Sequence, residues 1–191
     1  MATPRLAPEL DALRVGFEQI AKDTDLFVAT LSDEQFLWRP TLDAWSIAEC
    51  LDHLNATARL YLPMLDEGIA AAIRQGIYSD GPFTYNWLGR LFVWSAAPPP
   101  RFRVKTPKVF LPLPNRSRAE IMAGFRAYQV QFVDRLRQAN GVDLAKARVI
   151  SPAVTWLRIP LGSGFELMAT HERRHLWQAR RVTEAPDFPK G

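Results

Sequence analysis

Cysteine is nearly absent from this chain, since Cys50 is the only one among 191 residues, and this excludes an intramolecular disulfide. No stretch approaches the roughly 20 consecutive apolar residues that a membrane-spanning helix needs. Residues 1–13 lack the basic-then-apolar pattern of a secretory signal. These absences predict a soluble protein that is located in the cytoplasm and has no membrane partner.

A large excess of one charge is also lacking. The chain has 24 Lys and Arg residues against 20 Asp and Glu residues, for a net charge of +4. This is far from the dense basic surface of a nucleic-acid-binding protein, so we expect no nucleic-acid partner. Hydrophobic residues make up 48% of the chain, which is enough to fill one core. We therefore expect a single domain over residues 1–191.

Apolar residues recur at steps of three and four in four stretches, which is the pattern of helices that bury one face. The four predicted helices run from Leu13 to about Leu31, from Ser46 to before Gly76, from Ser117 to Asn140, and from Ser163 to Pro186. Ser46, Ser117 and Ser163 are each followed three residues later by Glu, which predicts a capping box at each start. Ser32 offers a further cap, which predicts a short helical turn.

About forty residues, 76–116, connect the second and third predicted helices. They are rich in proline, and no acidic residue occurs between Gly81 and Ala119. Because a long connection lets consecutive helices run parallel across a bundle, we interpret this segment as a crossover and not as a second domain. The alternation of basic and apolar residues over 101–105 predicts a brief extended segment within it. The predicted fold is an all-α four-helix bundle with a long proline-rich crossover between helices two and three.

All three histidines of the chain lie in predicted helices. His171 and His175 are four residues apart, so both rings project from one face, and two imidazoles one turn apart can bind one metal ion. Such a pair also arises by chance on a helix surface. The third, His53, lies about two turns into the second predicted helix. From these residues alone, a shared metal site and three unconnected histidines both remain open.

Two separated segments resemble a known family. The first is WSIAECLDHL at 45–54, which follows LSDE at 31–34 and Arg39-Pro40, and the second is HERRHLWQ at 171–178. Together they resemble the DinB-like metal-binding four-helix bundles. The resemblance covers essentially the whole chain. It implies an up-down-down-up bundle with one divalent metal ion bound by His53, His171 and His175. An unrelated translesion polymerase shares the name, and polymerase activity is not implied.

Three protein ligands leave a coordination position open, which is typical of catalytic metal sites. Among divalent metals, zinc and nickel are the leading candidates for a site of three imidazoles. Some DinB-like proteins are thiol-dependent transferases or isomerases, so the resemblance implies S-transfer with a low-molecular-weight thiol as a small-molecule substrate. Hydrolysis by activated water is an alternative enzymatic function, and a non-catalytic, metal-stabilised stress-response or interaction protein is a third. The family analogy also implies a homodimer. No catalytic side chain is assigned.

Residues beside the histidines are weaker candidates for the site. Glu49 is four residues before His53, but its capping box already explains it. Cys50 is a potential fourth ligand, although a free cysteine is more often a buried core residue. Gln178 continues the histidine stripe and is a candidate for a hydrogen bond to substrate. Three tryptophans could line a pocket, but packing is the better explanation for them: Trp45, Trp156 and Trp177. Four arginines of the last predicted helix could attract an anionic substrate, but solvation of the helix end explains them better: Arg173, Arg174, Arg180 and Arg181.

Overall fold

The computed structural model describes residues 5–85, 87–99, 105–152 and 156–190, and this part of the chain is mostly helical. The helices are α1 (Pro8–Ala29), α2 (Asp33–Leu37), α3 (Ile47–Arg74), α4 (Trp87–Ala96), α5 (Arg118–Gln138) and α6 (Leu161–Thr183). Two strands, β1 (Arg148–Ile150) and β2 (Arg158–Pro160), form an antiparallel hairpin. None of the described helices is long and apolar enough to cross a membrane.

The core lies between the four long helices, because α1 and α3 each pack against both α5 and α6. Their apolar faces are the ones that the spacing of the sequence predicts. The largest fully buried side chains include five phenylalanines, which are Phe17, Phe36, Phe125, Phe132 and Phe165. The rings of Phe17 in α1 and Phe132 in α5 stack with centroids 4.8 Å apart. The prediction of a mostly helical fold is confirmed.

The starts of α3 and α5 are confirmed as capping boxes. Ser46 Oγ accepts a hydrogen bond from the amide of Glu49 at 3.1 Å, and the Glu49 carboxylate accepts one from the Ser46 amide at 2.9 Å. Ser117 and Glu120 make the same reciprocal pair. Ser32 forms a further capping box at the start of α2, with Gln35. Local sequence thus determines where these three helices begin.

The predicted cap at Ser163 is wrong. Helix α6 begins at Leu161, and the Ser163 hydroxyl is buried without a hydrogen-bond partner among the described residues. The first amides of α6 are satisfied by distant carbonyls, since Leu161 N donates to Ala147 O at 2.9 Å and Gly162 N donates to Leu144 O at 3.1 Å. Tertiary hydrogen bonds therefore replace the side-chain cap at this end.

Helix α1 also begins earlier than predicted. Pro8 occupies its first turn, where a missing amide hydrogen costs nothing and the fixed φ angle fits the helix. Leu10, which lies before the predicted start at Leu13, is buried in the core. The end of α1 at Ala29 is close to the predicted end near Leu31.

The connection between α3 and α5 contains structure that the sequence analysis missed. It holds α4, which packs on α6 and β2, and a 3-10 turn at Lys108–Phe110. The predicted extended segment at 101–105 lies outside the described residues, apart from Lys105. The β1–β2 hairpin was also missed, because strands of three residues are too short to show an alternating pattern. Val149 and Ile159 are paired across it and both are buried.

Candidate metal centre

Three histidine rings meet between α3 and α6. His53 lies in the second turn of α3, and His171 and His175 lie one turn apart on α6. One ring nitrogen from each residue lies within 4.8 Å of the others, and the Nε2 atoms of His53 and His171 are 3.3 Å apart. Two nitrogens that bind one tetrahedral zinc ion at about 2.0–2.1 Å lie about 3.3 Å from each other. The donor set therefore fits one divalent ion.

The ring of His53 is oriented by the backbone of the crossover. Its Nδ1 donates a hydrogen bond to the carbonyl oxygen of Phe110 at 2.6 Å. This bond sets the tautomer with the proton on Nδ1, so the lone pair on Nε2 points toward His171. The Nδ1 atoms of His171 and His175 are buried and have no hydrogen-bond partner among the described residues. Each of these rings therefore keeps a buried polar nitrogen that the described residues do not satisfy.

The surroundings keep the three imidazoles neutral. Desolvation lowers the pKa of His53. Desolvation also lowers the pKa of His171 to about 3, and the neighbouring His53 and Arg174 contribute to this second shift. The pKa of His175 is lowered in the same sense, first by burial and then by the neighbouring histidines. Neutral imidazole is the form that binds a metal ion, so these rings need not lose a proton near neutral pH.

A cavity of about 320 Å³ opens beside the histidines. Its wall combines α3 and α6 with the end of α4, the 3-10 turn and the β hairpin, so the elements that the sequence analysis missed complete it. Its apolar lining includes Phe110, Leu157, Ile159, Leu167 and Met168. Its hydroxyl groups include Thr57, Tyr61 and Ser151, and the last two oxygens are 3.3 Å apart. This size lies at the lower end of the range for small-molecule sites, about 300–1,000 Å³.

The charged groups in the described lining are cationic. Arg174, from the turn between the two α6 histidines, is half-buried, and Lys105 is exposed. Burial lowers the pKa of Arg174. The positive charge of Arg174 in turn contributes to the lowered pKa of His53, His171 and His175.

Of the three tryptophans considered as pocket walls, one lies beside the histidines. The Trp45 ring packs against His53 and His175, with centroid distances of 4.9 Å and 5.9 Å, so it covers one side of the histidines. Trp156 is 83% exposed and Trp177 is 37% exposed, and neither lines the cavity. Two of the three tryptophans are therefore outside the site.

Cys50 and Glu49 have structural roles. Cys50 is fully buried in the core, and the group of three ligand atoms does not include its sulfur. Glu49 accepts from the Ser46 amide and pairs with the Arg39 guanidinium. Gln178 is half-buried, and its side chain is close enough to His175 to affect the pKa of that ring.

The remaining arginines on α6 lie outside the cavity. Arg173 is exposed, Arg180 lies over the ring of Phe27 at 5.8 Å, and Arg181 pairs with Glu184. Arg174 differs from them because it lines the cavity together with the histidines. Helical spacing could have singled it out, since it is three residues after His171 and so shares a face with that ring.

Some of the other residues that line the cavity follow from helical spacing, and some do not. Thr57 and Tyr61 continue the His53 stripe at steps of four on α3, so their place beside the site was visible in the spacing. The Phe110 carbonyl and the Ser151 hydroxyl come from distant segments, and no pattern in the sequence indicated them.

These features define a helical bundle that carries a three-histidine site beside a cavity. A family model described as the DinB superfamily matches residues 17–179. The chain therefore belongs to the DinB superfamily, which confirms the resemblance seen in its sequence. No curated protein and no solved structure matches the chain.

Proposed function

We propose that this protein is a metal-dependent enzyme that binds one divalent ion through His53, His171 and His175 and catalyses thiol-dependent S-transfer. Zinc and nickel are the leading candidates for the ion. The observation that carries the proposal is the convergence of three neutral imidazole nitrogens within 4.8 Å beside a cavity. When bound, a divalent ion supplies Lewis acidity, which lowers the pKa of a thiol or of water and so provides a nucleophile at neutral pH.

The protein's own residues supply orientation and exclusion of water. Phe110 holds the His53 ring through its carbonyl, and Trp45 covers the rings of His53 and His175. The apolar lining keeps the reacting groups in an environment of low dielectric constant, where charge interactions are stronger than in water. A cavity of this size beside the histidines supports an enzyme over a metal-stabilised interaction protein.

The charges of the cavity support S-transfer over hydrolysis. Hydrolysis commonly uses a side chain that accepts a proton from water, and a carboxylate often has this role. The charged side chains in the described lining are Arg174 and Lys105, which are cationic and cannot accept that proton at neutral pH. A thiol is far more acidic than water, so it needs less help to lose its proton.

We also propose that α1, α3, α5 and α6 run up-down-down-up. Arg118 at the start of α5 donates to the carbonyl of Leu31, just after α1, at 2.7 Å, which supports an antiparallel arrangement of α1 and α5. Asn55 near the start of α3 donates to the carbonyl of Ile121 near the start of α5 at 2.9 Å, which supports a parallel arrangement of α3 and α5.

Contacts of α6 support the same order. Arg180 near the end of α6 lies over the ring of Phe27 near the end of α1, as expected for parallel helices. Leu65, late in α3, lies next to Gly164, early in α6, as expected for antiparallel helices. The crossover between α3 and α5 is long enough for a parallel pair.

The first test is the metal content of the protein, prepared without a histidine tag and measured by elemental mass spectrometry. We expect about one equivalent in the wild type, as for a single three-histidine site, and loss of the metal in His53→Ala and His175→Ala. Cys50→Ala is the matched control, because it removes a buried potential ligand one turn from His53 and should keep the metal. Absence of metal from the wild type after reloading with zinc and with nickel would overturn the proposal.

The second test is turnover of the metal-loaded protein. Low-molecular-weight thiols with electrophilic acceptors test S-transfer, and generic esters and amides test hydrolysis. We expect turnover that requires the thiol and is lost in His175→Ala. Ester hydrolysis that is independent of thiol would select the alternative enzymatic function, and metal-dependent stability without turnover would select the non-catalytic one.

A further inference from the structure

The cavity beside the histidines has an imbalance of charge. Arg174 is half-buried and lines the cavity together with the three histidines, and Lys105 is an exposed residue of the same lining. Both are cations, and they are the charged side chains of the described lining. Arg174 forms no ion pair with an acidic residue of the described chain, whereas most other arginines of the long helices do.

The Arg174 guanidinium is partly desolvated and forms no ion pair with the described residues, so its N–H groups are available for charge-assisted hydrogen bonds to an anion. A divalent ion held by three neutral imidazoles would add to the positive charge. An anion that enters the cavity compensates both. Arginine is suited to this role, since its planar fork of N–H groups matches the two oxygens of a carboxylate.

Much of the rest of the wall is apolar, although Tyr61 and Ser151 contribute hydroxyl groups. Leu157 and Ile159 from the hairpin region and Met168 from α6 present aliphatic and thioether surface to the cavity. These side chains suit a hydrocarbon or aromatic body and offer nothing to a second charge. A ligand that matches the whole cavity therefore has one anionic end and one apolar body.

We infer that the cavity binds a small organic carboxylate with an apolar body and that Arg174 binds its carboxylate group. This inference deepens the proposed function and rests on it, because the carboxylate would be a substrate positioned beside the metal site. Arg174 orients this substrate beside the histidines, and the exposed Lys105 attracts it from solvent.

The test compares two probes of nearly equal shape, phenylacetate and phenylacetamide, by isothermal titration calorimetry. Zinc-loaded and metal-free protein are both titrated. We expect the acid to bind the wild type at least about tenfold more tightly than the amide, as for a charge-assisted hydrogen-bonded pair. The preference should persist without zinc, because Arg174 and not the metal recognises the carboxylate.

Two neighbouring arginines form the matched pair of variants. Arg174→Gln should remove the preference for the acid, whereas Arg173→Gln should keep it, because Arg173 is exposed outside the cavity. Arg174→Lys serves if Arg174→Gln does not fold, and it should retain part of the preference, since lysine keeps the charge but not the fork.

The outcomes separate the two proposals. A preference that vanishes on metal removal but survives in Arg174→Gln would assign the carboxylate to the metal and overturn the role of Arg174. Equal binding of acid and amide by the wild type would overturn the inference whether or not zinc binds. A protein that binds no zinc but prefers the acid through Arg174 would refute the proposed metal site and leave the carboxylate site standing.

Discussion

His53 and Phe110 are joined by a hydrogen bond of 2.6 Å between the ring Nδ1 and the main-chain carbonyl. The segment that carries this carbonyl is itself tied to α3, because the amide of Leu113 donates to the Asp52 carboxylate at 2.6 Å. Asp52 is buried and immediately precedes His53 in α3. One carboxylate thus holds the segment that orients the neighbouring histidine ring.

Asp52→Ala should therefore weaken metal binding without removing a ligand. Loss of a hydrogen bond to a buried carboxylate is expected to lower the free energy of unfolding by about 1.5–3 kcal/mol. Loss of a residue that orients a ligand typically lowers metal affinity by about 10–100-fold. Urea unfolding measures the first effect, and competition with a chelator measures the second.

Asp66→Ala is the control for this experiment. Asp66 also lies on α3 and pairs with Arg135 at 2.8 Å, but it does not line the cavity. It should reduce stability by less than about 1 kcal/mol, as for a partly exposed ion pair, and leave metal affinity unchanged. Unchanged metal affinity in Asp52→Ala would show that the crossover segment does not position His53.

Two serines near helix starts should respond differently to alanine. Ser117→Ala removes a capping box at α5 and should lower the free energy of unfolding by about 1 kcal/mol. Ser163→Ala removes a buried hydroxyl without a partner among the described residues, so it should be neutral or slightly stabilising. Urea denaturation of both variants measures the difference. A larger loss for Ser163→Ala would mean that this serine caps α6 after all.

Two glycines in helices form another matched pair. A Cβ at Gly68 would lie 2.6 Å from Val149 Cγ1 and 3.0 Å from the Arg148 carbonyl oxygen, so β1 would have to shift. Gly68→Ala should therefore destabilise the protein by about 1–3 kcal/mol, despite the better helix propensity of alanine.

Gly16→Ala is the control for that steric effect. At Gly16 the close atom is the guanidinium of Arg173, which is the free end of a flexible side chain, at 2.8 Å. The arginine can move, so the substitution should stabilise the protein by up to about 1 kcal/mol through helix propensity. Thermal melting and urea unfolding measure both variants. Equal effects at the two positions would contradict the close approach of β1 to α3.

The thiol of Cys50 should be inert in the native protein. The residue is fully buried, and burial, with a contribution from Glu49, raises the pKa of its thiol well above the ordinary value. Since the thiolate is the reactive form, a disulfide reagent should label the protein only after unfolding in guanidinium chloride. Fast labelling of the folded protein at mildly alkaline pH would place Cys50 near the surface instead.

Local patterns account for much of the helical frame. The starts of α3 and α5 follow from serine and glutamate three residues apart, because a capping box involves only neighbouring residues. The start of α6 does not follow from Ser163, because carbonyls from the preceding segment satisfy its first amides. Helix α4 and the β hairpin were missed since they are short and are stabilised by packing on other elements.

The sequence by itself determined the family, through its two histidine-bearing segments, and the pair His171 and His175 on one helix face. The resemblance already implied that His53 joins this pair, whereas only the tertiary structure decided that a cavity with one half-buried arginine lies beside the three rings. The physical reason is separation along the chain: Phe110 is 57 residues from His53, and Ser151 is 90 residues from Tyr61. Contacts over such distances depend on how whole elements pack, and periodicity within one helix does not encode that packing.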